Sequence, residues 1–361
     1  MMQPHFLPWH TEVARDWLGN KDRFAHAWLI HGLAGIGKRE FAFAAAASLL
    51  CEAPLQGLAC GQCPACGWIA RGNHPDLKRI RPEAVAAEEG AELGAEEDGS
   101  ASDEAIVEAG GSSKRAPSKD IRVEQIRSLE PWFNNATHRG GWRVALIYPA
   151  EALTTISGNT LLKVLEEPPP STIFLLVADA PDRLLPTLLS RCRRLPLSTP
   201  SLDIAQQWLE GKGVKKANEW LAAAGGAPLL AQHQSESEQS PCPDWIIELL
   251  ASLEQGRIPD LSNLADKLAK SSPKVWLDAC QRLAIDLNLS AHGLACRYYP
   301  GQHKQLSAIG KHGGTLQFAQ LATWLNEQKR VAGHPLNAKL FAQAVMQRLS
   351  QACQIKLSGY K

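Results

Sequence analysis

Two short stretches carry residue types whose spacing does chemistry. The first, Gly32-Leu33-Ala34-Gly35-Ile36-Gly37-Lys38-Arg39, follows the phosphate-binding pattern G-x-x-x-x-G-K. In such a loop Gly32, Gly35 and Gly37 let backbone N–H groups close around phosphates, and Lys38 reaches the outer ones. The pattern next requires Ser or Thr, whose hydroxyl holds Mg²⁺. Arg39 stands there instead, with five donors and no lone pair for a metal. The second stretch is Cys51, Cys60, Cys63 and Cys66, spaced C-x8-C-x2-C-x2-C. Two overlapping C-x2-C steps turn the chain so that four thiolates meet at one point, the ligand set that zinc prefers. Four protein ligands leave no open position, so such a zinc site is structural. Unligated cysteines, a redox pair or an iron–sulfur cluster are the alternatives, and nothing else in the chain suggests electron transfer.

The loop's other requirements test whether the chain hydrolyses ATP. A P-loop ATPase needs an acidic residue at the end of a following buried strand. The best such strand, Val144-Ala145-Leu146-Ile147, runs into Tyr148-Pro149-Ala150-Glu151, so Glu151 comes late. The next, Ile173 to Val177, ends in Ala178, where a polar residue would sense the γ-phosphate. Arg39, Tyr148-Pro149 and Ala178 are three blank stations in one site, and together they predict that hydrolysis is absent. Ser190-Arg191-Cys192 is ambiguous. Arg191 reads as an exposed charge, or as an arginine that stabilises phosphoryl-transfer charge on a neighbouring subunit.

These residues need a frame. A buried strand over 23–31, the glycine loop and an alanine-rich helix over 38–50 give the strand–loop–helix context of a P-loop. A helix over 159–167 is stopped by Pro168-Pro169-Pro170. Strands and helices alternate over residues 1–195, which predicts an α/β module with a parallel sheet and helices on both faces. Residues 82–119 hold no aromatic residue, and ten acidic residues lie between Glu83 and Glu108. That composition predicts a disordered acidic insertion. Beyond Pro200 apolar residues recur at helical spacing. A helical unit is expected over 200–235, a polar linker over 232–240 and an all-helical domain over 241–361.

The 361 residues suffice for two or three domains, and a net charge of +1 gives no global field toward nucleic acid or membrane. No apolar run is long enough to span a bilayer, and no leader opens the chain, so a cytoplasmic protein is expected. Clustered cysteines point the same way, to a reducing compartment.

The stretch from Asn159 through Leu-Leu-Lys-Val-Leu-Glu-Glu-Pro-Pro-Pro to Val177, followed by Leu184 to Cys192, resembles the bacterial clamp-loader family within the AAA+ ATPases. The Arg23-Phe-Ala-His-Ala opening and the cysteine module after the P-loop helix fit the same family. The resemblance covers roughly residues 5–230; beyond them only length and helical character match. It implies a RecA-like AAA+ module over 1–199, with a zinc module at 51–66, a helical lid over 200–235 and a helical collar over 241–361 that joins five subunits in a ring. Active tau/gamma members carry a full P-loop and an acidic pair. This chain is more similar to the branch with a degraded nucleotide site. The resemblance therefore implies a subunit of the DNA polymerase III holoenzyme that is no enzyme by itself. Its implied partners are tau/gamma and delta subunits, the sliding clamp and primer–template DNA. Arg191 would be an arginine finger acting in trans on ATP held by a neighbouring tau/gamma subunit. Cys51, Cys60, Cys63 and Cys66 would hold structural Zn²⁺. Arg127 and Lys163 would touch DNA phosphates, although solvated helix charges are an equally good reading. A lid arginine is expected after Gly226-Ala227-Pro228, and Leu229 stands there. An active ATPase of the tau/gamma type using Glu151 is the first rival; a free-standing zinc protein that binds nucleic acid is the second.

Overall fold

The computed structural model describes residues 5–19, 24–90, 116–237, 240–257, 259–333 and 337–353. The chain forms two compact units, 1–199 and 200–361. The first contains α1 (Thr11–Gly19), β1 (Ala27–His31), α2 (Lys38–Leu50), α3 (Pro64–Arg71), β2 (Leu77–Ile80) and α4 (Glu83–Glu88). There follow α5 (Val123–Arg127), α6 (Glu130–Asn134), β3 (Arg143–Ile147), α7 (Thr155–Glu166), β4 (Thr172–Ala178), α8 (Pro186–Arg191) and β5 (Arg193–Pro196).

The five strands form one sheet in the order β2-β3-β4-β1-β5, and every pairing is parallel. The three central strands read as near-continuous apolar runs because both of their faces are covered; β3 and β4 are buried at every position. Successive side chains point to opposite faces. Leu29, Ala145, Ile147, Phe174 and Leu176 share one apolar cluster with Ile126 of α5, Leu161 and Leu165 of α7 and Leu188 of α8. The helix α2 packs on β1, β3 and β4. It is buried almost all round, and its run of alanines keeps it slim enough to fit there. The expected α/β module with a parallel sheet is therefore present.

Two expectations need adjusting, and two strands were not expected at all. The edge strands β2 (Leu-Lys-Arg-Ile) and β5 (Arg-Arg-Leu-Pro) give no strand signal, because a charged edge lacks the apolar pattern of a buried strand. The acidic insertion expected over 82–119 begins too early. Its core, 91–115, lies outside the described residues, but its first residues form α4. The base is knitted by Ser118 N donating to the Glu83 carboxylate at 2.8 Å, by Ala84 N donating to the Ser118 carbonyl at 3.0 Å, and by Gln125 Nε2 donating to the Arg81 carbonyl at 2.8 Å. The polar stretch from Gln232, expected as a linker, is helical as far as Ser237.

The second unit is helical throughout its described residues: α9 (Leu202–Gly211), α10 (Ala217–Ala223), α11 (Pro228–Ser237), α12 (Asp244–Glu254) and α13 (Leu261–Leu268). Then come α14 (Pro273–Ala291), α15 (His303–His312), α16 (Thr315–Val331) and α17 (Ala338–Cys353). Gly225 and Gly226, both with positive φ (69° and 92°), turn the chain between α10 and α11, a backbone path that L side chains resist. The core gathers Trp276, Leu283, Phe318, Leu325 and Leu349, and Ala223 of α10 joins it. Asp286, fully buried in α14, accepts from the backbone N–H groups of Arg297, Tyr298 and Tyr299 and so fixes the turn before α15.

Candidate functional site

β1 delivers the chain to the P-loop. Gly35 and Gly37 adopt φ 78° and 95°, and Gly37 caps α2 in that left-handed conformation. The loop thus keeps the backbone shape of a phosphate cradle. Its lysine is already engaged. Lys38 is buried, its Nζ donates to the Leu33 carbonyl at 2.6 Å, and it lies 2.5 Å from the Asp179 carboxylate. Asp179 directly follows β4. It is the residue beside the blank station Ala178, and the sequence reading passed over it.

The other blank stations converge as well. Arg39 lies 3.3 Å from the Glu89 carboxylate, and the buried Arg81 lies 2.9 Å from it. The Tyr148 hydroxyl donates to the same carboxylate, at 3.0 Å from each oxygen. Burial, with Glu89 beside it, pushes the Tyr148 hydroxyl well above its ordinary range, so it stays protonated and donates. The residue in place of the metal-binding hydroxyl and the residue in place of the acidic pair therefore share one carboxylate. That carboxylate comes from just beyond α4. Glu151, the rival candidate for ATPase chemistry, accepts from the Ala180 N–H at 2.5 Å.

Behind the loop, Trp9 Nε1 donates to the Ile36 carbonyl at 2.9 Å. His10 is buried with its ring 5.4 Å from that of Phe41, and neither ring nitrogen has a hydrogen-bond partner among the described residues. Burial, and secondarily Lys38, lower its pKa from 6.5 to about 4. The folded state therefore holds it neutral. The stability this gives is complete above pH 6.5 and is lost as the pH falls toward 4, because the unfolded chain takes up the proton first. A shift of this size corresponds to about 3 kcal/mol. Denaturant unfolding at pH 7 and at pH 4 should show the His10→Gln variant losing less stability between the two than the parent, by up to this amount.

Arg191 ends α8. Its Nη1 donates to the Thr187 carbonyl at 3.1 Å and lies 3.5 Å from the Ser190 hydroxyl, and its Nη2 donates to the Glu166 carboxylate. The side chain is 33% exposed, so part of the guanidinium still faces outward. Its neighbour Cys192 is buried, which pushes the thiol up to about 11. Arg127 on α5 and Lys163 on α7 are both exposed, on helices that pack together, and neither forms an ion pair among the described residues. Leu229 lies in α11 and is half-buried.

The four cysteines do meet. Cys51 caps the C-terminus of α2, Cys63 caps the N-terminus of α3, and Cys66 lies in the first turn of α3. All four sulfurs lie within 4.8 Å of one another. Cys51 and Cys63 are 3.8 Å apart, and Cys60 and Cys66 are 4.0 Å apart. A tetrahedral ion with about 2.3 Å bonds to sulfur sets its ligands about 3.8 Å apart. Backbone N–H groups point at the sulfurs: Cys60 N at Cys51 Sγ and Cys63 N at Cys60 Sγ, each 3.3 Å, and Cys66 N at Cys63 Sγ, 3.5 Å. Gln62 N and then Cys63 N, both donating to Cys60 Sγ, draw that thiol down to about 6 and so favour its thiolate. The cluster can therefore hold a metal ion. Outside it, Arg139 pairs with Glu52 at 2.8 Å and lies over the Trp68 ring at 5.6 Å, pinning α3 from the solvent side.

Among the described residues, no helix is long and apolar enough to cross a membrane. A family model described as DNA polymerase III, delta subunit, matches residues 17–201. The DNA polymerase III subunit delta' of Pseudomonas aeruginosa is 37% identical over 229 residues, which are 62% of this chain and 60% of that protein. The subunit delta' of Escherichia coli K12 is 30% identical over 251 residues, 65% of each chain. The subunit tau of Salmonella typhimurium is 32% identical over 184 residues, 51% of this chain and 23% of that protein. The chain thus spans under two thirds of the length of the delta' relatives it matches. The family match runs from α1 through the sheet to the end of β5 and covers just over half of the residues. The chain belongs to the DNA polymerase III delta subunit family, with its stronger similarity to members called delta'.

Proposed function

We propose that this chain is a clamp-loader subunit with no nucleotide cycle of its own, which lends Arg191 to ATP held by a neighbouring subunit of the tau/gamma type. The ring it joins, with tau/gamma and delta subunits, opens a sliding clamp and sets it on primer–template DNA. The observation that carries this reading is the state of the P-loop. Lys38 is paired with Asp179, while Arg39, Arg81 and Tyr148 converge on Glu89. A Mg²⁺–nucleotide would have to displace both carboxylates from cationic partners, and it would find no hydroxyl after Lys38 and no acidic pair at the end of β3 to hold its metal. A subunit that does not bind nucleotide has no ligand to shift its conformation, so its neighbours move against a fixed wall.

Under the same reading the cysteine cluster holds structural Zn²⁺, and the helices of 241–361 form the collar. Arg127 and Lys163 face the DNA backbone. Neutralising either would then weaken DNA binding by the ring equally across sequences.

Titration of the isolated protein with a fluorescent ATP analogue and Mg²⁺, followed by a turnover assay with ATP, tests the nucleotide part. No saturable binding and no turnover are expected. Turnover that disappears in Lys38→Met would establish an active ATPase instead.

A further inference from the structure

We infer that Glu166 is the positioning residue of Arg191. The inference rests on the reading of Arg191 as a finger and adds what holds the finger in its working direction. A guanidinium is a rigid planar fork with five N–H donors. Here two different helices grip it. From α8 itself, the Thr187 carbonyl and the Ser190 hydroxyl meet Nη1; from the end of α7, the Glu166 carboxylate meets Nη2. Held on that rim, the fork keeps its remaining donors for a ligand, and a third of the side chain stays open to receive one.

The position of Glu166 has no better explanation within the fold. It is the last residue of α7, where a carboxylate faces the negative end of the helix dipole. It is 49% exposed, and an exposed ion pair adds little to stability. Arg191 is its one hydrogen-bond or ion-pair partner among the described residues. What the pair does is fix direction. An unheld arginine at a helix end samples many rotamers and must be ordered each time a phosphate arrives, and small misplacements at a transition state are costly.

Three variants, assembled with tau/gamma and delta subunits and assayed for ATP turnover with clamp and primed DNA, test the inference. Glu166→Ala should lower kcat about five- to tenfold with KM for ATP unchanged, a fraction of what a finger supplies. Its melting temperature should stay that of the parent. Glu166→Gln, which keeps an oxygen acceptor, should recover most of the rate. In the Arg191→Ala background, Glu166→Ala should change nothing further, since it acts through that arginine. Faster turnover in Glu166→Ala would make the glutamate a brake and overturn the inference. So would an equal further loss in the double variant. Normal turnover in Arg191→Ala alone would remove the finger reading itself, a failure distinct from a normal Glu166→Ala beside an impaired Arg191→Ala.

Discussion

Replacing Cys63 by serine should abolish metal binding at the cysteine cluster and loosen everything between α2 and β2. Cys63 serves twice. It supplies one of the four sulfurs, and its side chain accepts the Cys66 N–H as the cap of α3. Serine can cap a helix but is a poor ligand for a soft metal site. In small zinc modules the metal supplies about 10–16 kcal/mol of folding free energy. Only part of that would reach the melting of a whole unit, because the sheet has its own core. A loss of about 3–5 kcal/mol, or roughly 10 °C in melting temperature, is expected. Metal content by atomic emission should fall from one zinc per chain to none, and amides of residues 51–72 should lose their protection from exchange. Retention of a full equivalent of zinc by the variant would show that these four cysteines are not the ligand set.

The second large effect belongs to Arg191. In the assembled ring, Arg191→Ala should reduce ATP turnover at the site it serves by about a thousandfold or more, the scale on which arginine fingers act. Turnover summed over all sites would fall less, to the extent that other sites fire independently. The isolated chain should not change in fold, since the guanidinium is partly exposed and its ion pair is weak. Arg191→Lys should rescue little: a lysine offers a point charge where the rigid fork is required. Single-turnover kinetics on the ring separate loss of chemistry from loss of assembly.

The sheet's centre was legible because burial on both faces writes itself as continuous apolar runs, as in Val144 to Ile147 and Ile173 to Val177. Its edges were not, since Lys78, Arg79, Arg193 and Arg194 interrupt the apolar run and erase the strand signal. The convergence of the four cysteines followed from spacing alone, because C-x2-C turns leave little freedom. The three blank stations were legible one residue at a time, but the groups that fill them were not. Glu89 was hidden by composition: an acidic tract reads as a solvated tail until one turn of helix docks it against Arg81. Asp179 was hidden by position, one residue beyond a strand end that had been judged by Ala178. The buried Lys38 and Arg81 each need a carboxylate partner, but their burial shows only in the fold. The helix α11 was masked by its Gln- and Ser-rich sequence, whose hydrogen bonds one turn apart, such as Gln232 to Glu236 at 2.9 Å, support a helix as readily as a linker.

The central claim is that this chain's own nucleotide cradle is idle while its arginine works on another subunit's ATP. The direct measurement is turnover by two rings assembled side by side, one carrying Lys38→Met and the other Arg191→Ala in this subunit. The account predicts parental turnover for the Lys38→Met ring, because among the described residues that lysine's polar partners are Asp179 and the Leu33 carbonyl, and a marked loss for the Arg191→Ala ring. The reverse pattern, with loss from Lys38→Met and parental turnover from Arg191→Ala, would contradict it.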